Sequence, residues 1–304
     1  MKILITGATG LVGQSLTNLC VDNKIFVNYL TTSKEKIHSG PHKQGYYWNP
    51  SKNYIDEASL DGVEAIIHLA GSSIAERWTP ENRSVIFDSR ISTARMIYST
   101  LSRKRKKASI TVKHFISSSA IGGYPSSFDT LYDESYEKYA KGFLGEIVEE
   151  WENAAREFKR LDIITTCVRS GIVLDKEKGA LEKIKKPILN GVGAALGSGK
   201  QWQSWIHTDD IVGIYYHILR NKLEGTYNGV APNPVTNKEL TEAVASALNK
   251  KIILPKVPKF TLKLMLGDMS SIVLESQKVS ASKIQEAGYI FKYTRLEEAL
   301  KDVL

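Results

Sequence analysis

Thr6-Gly7-Ala8-Thr9-Gly10-Leu11-Val12-Gly13 stands directly behind the β-branched run Lys2–Thr6 and opens a helical pattern over Leu11–Asn23. In that order each glycine has a separate task. Gly7 permits a tight turn out of the strand, Gly10 lets backbone approach a pyrophosphate, and Gly13 allows the helix to pack closely on the sheet. The helix N-terminus then offers free N–H groups and a partial positive charge to the phosphates. Glycine spacing alone is weak evidence; the strand before it and the helix after it make it a dinucleotide-binding turn. Gly7, Thr9, Gly10, Leu11, Val12 and Gly13 are therefore the expected first contacts of a dinucleotide.

Outward from that turn, strands and helices alternate. Ile25–Leu30 predicts a second strand. Tyr46–Trp48 predicts a short strand after the polar segment Ser39–Gly45. Ala65–Leu69 is a continuous apolar run ending in Ala70-Gly71, as in a buried parallel strand. Helical periodicity covers Glu81–Leu101. Val112–Ile116 reads as a strand with Ser117-Ser118-Ser119 at its carboxyl end, Glu146–Lys159 as an amphipathic helix, and Ile163–Val168 as a further strand. The expected class is α/β, a Rossmann-type doubly wound parallel sheet. Its ligand lies at the carboxyl ends of the strands, which adds Leu69, Ala70, Gly71 and Ser117 to the cofactor-binding set.

The second half is less regular. Gly191–Gly199 is glycine-rich and Trp202–His207 strand-like. Asp209–Arg220, Thr236–Asn249 and Leu296–Leu304 are helical. The expected division gives residues 1–170 to an NADP(H)-binding Rossmann domain and 171–304 to a smaller C-terminal α/β substrate domain, with the chain able to cross between them.

Cofactor choice rests on the end of the second strand. Folds that prefer NAD put an acid there for the ribose hydroxyls. This chain has Leu30-Thr31-Thr32-Ser33-Lys34, with no acid until Glu35. Thr31, Thr32, Ser33 and Lys34 would meet a 2′-phosphate with hydroxyls and a cation, so the expected cofactor is NADP(H).

Composition narrows the classes further. With 304 residues and 42% hydrophobic content, a sizeable core is available. The apolar runs are short and interrupted, which argues against a membrane span, and the N-terminal run is too short for a signal peptide. Cys20 and Cys167 lack CxxC spacing and read as buried thiols in a reducing cytoplasm, with no metal site. The formal charge of +8 is concentrated in Arg103-Lys104-Arg105-Lys106-Lys107. That run lacks interleaved aromatics and any nucleic-acid module, so it reads as a solvated connector; a small-molecule substrate is expected, with oligomer formation left open.

Several longer stretches carry a resemblance. Asp61–Gly71 and Trp205-Ile206-His207-Thr208-Asp209-Asp210 resemble the extended short-chain dehydrogenase/reductases. Asp88-Ser89-Arg90, Trp151-Glu152, Arg169–Leu174, Leu196–Trp202 and Tyr227–Asn237 narrow it. Over nearly its whole length the chain resembles the atypical branch called "epimerase family protein", with a DUF1731-type C-terminal segment. The resemblance implies an NADP(H)-dependent oxidoreductase or a nucleotide-sugar-epimerase-like enzyme.

In that superfamily a Ser works with Tyr-x-x-x-Lys, whose phenol exchanges a proton while hydride moves. Ser119 matches the Ser. Leu144 and Val148 stand where Tyr and Lys belong, and no Tyr-x-x-x-Lys occurs anywhere in the chain. Gly123 and Pro125 also depart from the branch, which usually has Tyr and Gly there. Ser119 thus acts directly or orders the nicotinamide end. Tyr124, Tyr139, Lys141 and His207 are groups of the right chemistry, each better explained structurally: the tyrosines lining the cleft, Lys141 in solvent, His207 bonding backbone at a helix start. Phe260, Leu262, Leu264, Met265 and Leu266 either wall an apolar pocket or pack a helix on the core. The alternative to an enzyme is a non-catalytic protein that senses or reports NADPH.

Overall fold

The computed structural model describes residues 1–107 and 110–304. The first strand, β1 (Lys2–Thr6), leads through the glycine turn into α1 (Leu11–Asp22), then β2 (Phe26–Thr31), β3 (Lys43–Asn49) and β4 (Ala65–His68). Helix α2 (Pro80–Phe87) continues through a π-type turn at Asp88–Ser92 into α3 (Thr93–Lys107). Then come β5 (His114–Ala120), α4 (Phe143–Arg156) and β6 (Ile164–Ser170).

Past residue 170 the chain leaves the sheet for α5 (Ala180–Leu189) and a short strand Trp205–His207. It returns with α6 (Thr208–Asn221), which lies against α1, and β7 (Gly225–Gly229), which pairs with β6. Helices α7 (Asn237–Ala247) and α8 (Lys259–Leu266) follow, and Leu296–Val303 is the last helix.

The seven main strands lie in the order β3-β2-β1-β4-β5-β6-β7 and are parallel, while the two-residue strands Ser39–Gly40 and Tyr54–Ile55 pair antiparallel with β3. The main strands are buried on both faces, and a two-residue period divides them. Ile3, Ile5, Ile67 and Ile116 face the core under α1 and α6; Leu4, Ile66 and Phe115 face the core under α3 and α4. In α1 the buried residues Gly13, Leu16, Thr17 and Cys20 fall on one stripe, the pattern of a surface helix. A third core gathers Leu174, Leu181, Trp205, Leu240, Val244, Leu296 and Leu300 into the smaller C-terminal part.

Two readings change here. Ser117, Ser118 and Ser119 lie inside β5, because pairing with β6 continues through Ser117↔Cys167 and Ser119↔Arg169 to Ala120. The basic run is no connector. It forms the last turns of α3, where cations suit the helix dipole, and Arg103, Lys104 and Arg105 pair with Glu57, Asp61 and Asp162. Cys20 and Cys167 are free and buried. No helix among the described residues is long and apolar enough to cross a membrane.

Candidate functional site

The sheet changes direction between β1 and β4, and a crevice opens at their carboxyl ends, the usual ligand position in such sheets. Its floor is the glycine turn. Gly7 has φ +69°, and a Cβ there would sit 2.7 Å from the Leu69 carbonyl oxygen, so only glycine fits. At Gly13 a Cβ would overlap the Gly7 carbonyl oxygen. Gly10 differs: a Cβ would meet only the Gly7 oxygen, at 3.2 Å. Its outer side is open, the space a pyrophosphate needs. No side chain caps α1, so its first N–H groups remain available to a ligand.

A buried network supports this turn from below. Thr6 Oγ1 accepts from the Leu69 and Ala70 N–H groups at 3.2 and 3.1 Å, and its own hydroxyl points at His68 Nδ1, 2.8 Å away. His68 Nε2 then donates to the Arg90 carbonyl at 3.1 Å. Full burial pushes the His68 pKa down to about 4, so the ring is neutral at pH 7.

The crevice, about 810 Å³, is lined by Gly7, Thr9, Thr31, Thr32 and Gly71 from the expected set. Trp48, Asn49, Pro50 and Ser51 line it as well, as do Asp88, Ser89 and Ser92. The sequence reading missed these seven; the signal was the Asn49-Pro50 turn ending a strand, at the edge where ligands bind. Asp88 is the one acid among the described lining residues, and Ser92 and Ser84 donate to it. The π-type turn carrying it is a form common at functional sites. Arg90, in the same turn, donates to the Ser72 carbonyl at 2.9 Å and lies over Trp151.

Other expected contacts are placed differently. Thr31 is buried, and its hydroxyl is engaged with Ser33 N–H at 3.2 Å. Thr32 is exposed at the crevice, while Ser33 and Lys34 lie outside its lining, Lys34 over the Tyr47 ring. Leu11, Val12, Leu69 and Ala70 flank the floor. Ser117 is a correction: it is fully buried in the sheet, and its hydroxyl donates to the Ser118 carbonyl, leaving no surface for a ligand.

Ser119 also belongs to a buried network. Its hydroxyl donates to Glu152 Oε1 at 2.7 Å. The same carboxylate accepts from Arg169 Nε and a terminal Arg169 nitrogen at 2.7 and 2.9 Å, from Tyr139 at 2.7 Å and from Arg156 at 2.9 Å. Burial alone would raise the Glu152 pKa; hydrogen bonds and charge from Arg169 outweigh it and hold the carboxyl below its ordinary value. Arg169 in turn lies over the Tyr124 and Tyr139 rings.

The positions where the resemblance puts Tyr and Lys hold hydrocarbon side chains. Val148 is buried, and a Cβ at Gly123 would come within 2.6 Å of it, so the small residue at 123 makes room for the valine. Leu144 borders two further clefts, of about 260 and 750 Å³. The other candidates are committed elsewhere. The single Tyr124 O–H has Asn228 Oδ1 and the Asp133 backbone carbonyl as its acceptors, at 2.9 and 3.0 Å, and burial raises its pKa to about 12. His207 caps α6 by accepting from Asp209 N–H. Lys141 lines the larger cleft. In α8 only Leu262 is buried; Phe260, Leu264 and Met265 are exposed rather than packed on the core.

Comparison with known proteins gives a consistent result. Residues 3–229 match the model of the NAD dependent epimerase/dehydratase family, and residues 257–303 match a domain of unknown function, DUF1731. An epimerase family protein of Staphylococcus aureus is 35% identical over all of this chain and 99% of its own length. The Arabidopsis thaliana "epimerase family protein SDR39U1 homolog, chloroplastic" is also 35% identical, over 100% and 87%. Among solved structures, human epimerase family protein SDR39U1 with NADPH superposes with a TM-score of 0.85 at 29% identity, covering 100% of this chain and 99% of that one.

Proposed function

The chain belongs to the NAD dependent epimerase/dehydratase family, and from that premise we propose that it is an NADP(H)-binding atypical short-chain dehydrogenase/reductase, an oxidoreductase or epimerase-like enzyme acting on a small molecule in a reducing, cytoplasmic setting. One observation carries the reading: the crevice at the β1–β4 switch has an open glycine floor, an uncapped helix N-terminus and no acid on the Thr31–Lys34 segment. The NADPH in the human relative supports the cofactor choice. In this reading Gly7–Gly13 hold the pyrophosphate, Thr32 faces the 2′-phosphate with Ser33 and Lys34 following it outside the crevice lining, and Leu69–Gly71 run along the dinucleotide. A bound nicotinamide would supply hydride chemistry at the far end of this crevice. Ser119 orders that end through Glu152 and Arg169 rather than exchanging protons itself. Residues 1–170, completed by α6 and β7, form the cofactor half; the rest of 171–304 walls the substrate side.

Fluorescence titration with both cofactors tests this. NADPH binds more tightly than NADH in the wild type, and Thr32→Asp narrows or reverses the ratio by about tenfold, since a carboxylate repels the phosphate and accepts from ribose. Equal or tighter NADH binding in the wild type overturns the choice.

A second reading, a non-catalytic NADP(H) sensor, draws on Leu144 and Val148 occupying the proton-transfer positions. Cofactor binding without turnover across a broad carbonyl and sugar-nucleotide screen would favour it.

A further inference from the structure

The clefts of about 260 and 750 Å³ meet beyond the carboxyl ends of β5 and β6 and share Leu144, Ser271 and Glu275. Ile74, Ile121, Leu144, Ile172 and Ile272 give the inner one apolar walls. Among the described residues lining it, Glu275 alone is ionisable. It therefore borders the same space as Leu144, the residue standing where the family has its proton-exchanging tyrosine. Its hydrogen-bond partner is a neutral amide, Gln277 Nε2 at 3.2 Å.

Burial raises the Glu275 pKa above its ordinary value, more than the Gln277 hydrogen bond lowers it. The charges around the outer cleft are Lys259 and Lys263 of α8, Asp268 behind them, Lys141 ahead of α4 and Arg83 of α2. Arg83 is held by Asp268 at 2.6 Å.

Resting on the NADP(H) reading above, we propose that Glu275 is the acid that exchanges a proton with the substrate, and that the substrate is a small carbonyl compound reduced to its alcohol. The inner cleft, about 260 Å³, falls just under the roughly 300–1,000 Å³ of pockets for drug-sized ligands. The carbonyl carbon takes a hydride from reduced nicotinamide, the C=O electron pair moves to oxygen, and that oxygen takes the Glu275 proton. The products are the alcohol, oxidised nicotinamide and the Glu275 carboxylate. Solvent reaching the open outer cleft returns the proton. In the reverse direction the carboxylate is the base.

Carbon-13 NMR of protein labelled at the glutamate carboxyls reads the group directly. Burial raises Glu134 as well as Glu275 above the ordinary glutamate value of about 4.3; the high-titrating resonance of Glu275 is the one absent from Glu275→Gln, and it shifts when NADPH saturates the wild type. With 2,3-hexanedione as probe, NADPH oxidation slows at least about tenfold in Glu275→Gln, toward the 10²–10⁴-fold typical of general acids, with NADPH affinity unchanged. Glu275→Asp keeps part of the rate because it keeps a carboxyl. An ordinary Glu275 titration, a resonance unmoved by bound NADPH, or a wild-type rate in Glu275→Gln overturns the proposal alone. If NADPH does not bind, by fluorescence, the cofactor reading falls and this proposal with it.

Discussion

At Gly7–Gly13 the chain leaves backbone bare and keeps the space above Gly10 clear; at Gly123, Leu144 and Val148 it closes space with hydrocarbon. In the proposed reading the first region holds its ligand by main-chain geometry and a helix N-terminus, so it needs almost no side chains. The second holds Leu144 and Val148 at the positions where the resemblance puts Tyr and Lys, so no proton moves through those two side chains. In the proposed reading cofactor binding and proton transfer thus rest on different parts of the fold. Each region also rests on a buried polar network of opposite kind. Beneath the glycine turn sits a neutral imidazole, His68; beside Ser119 sits an ionised carboxylate, Glu152, fed by five hydrogen bonds.

The largest effect is expected from removing that carboxylate. Glu152→Ala leaves the buried Arg169 unpaired, and breaking a buried ion pair from one side costs about 3–5 kcal/mol. Urea unfolding would measure it, with NADPH affinity of the folded fraction nearly unchanged. A stability loss below about 1 kcal/mol together with lost NADPH binding would break the contrast, because the network would then hold the cofactor directly instead of positioning its nicotinamide end through Ser119.

Acid sharpens the same contrast. His68 and His114 are both buried, and burial lowers each pKa from 6.5 to about 4. Between those values the unfolded chain binds more protons than the folded one, so stability rises with pH. It is fully present above about pH 6.5 and falls as pH drops toward 4, by about 3 kcal/mol for each ring. Glu152, held below its ordinary pKa, stays ionised through this window. Denaturant midpoints measured across it should decline steadily; a flat midpoint would mean that neither ring is held neutral.

Much of this was legible in the sequence wherever local chemistry decides the outcome. The glycine turn, the apolar runs of β1 and β4 and the helical stripe of α1 depend on neighbours in the chain. The length of β5 was not legible: its apolar run stops at Ile116, and only pairing with β6 shows that the three serines at its carboxyl end continue the strand. Thr31 read as a ligand donor, but Ser33, two residues on, takes its hydroxyl. Glu152 stood out only as part of a resemblance, because its partner Arg169 comes from a strand beyond the helix. Glu275 gave no local signal; the fold alone brings it beside Leu144.

NADPH titrated into the wild type and into Gly10→Val, with the melting curve of each recorded, tests the central claim most directly. The added Cβ meets only the Gly7 oxygen, at 3.2 Å, and the branches beyond it take the open space that the account gives to the pyrophosphate. The account predicts tight binding to the wild type and a loss of at least about a hundredfold, some 2.7 kcal/mol, in a variant that still melts cooperatively. Equal NADPH affinity in the two proteins would contradict it, because the glycine turn would not be the phosphate site.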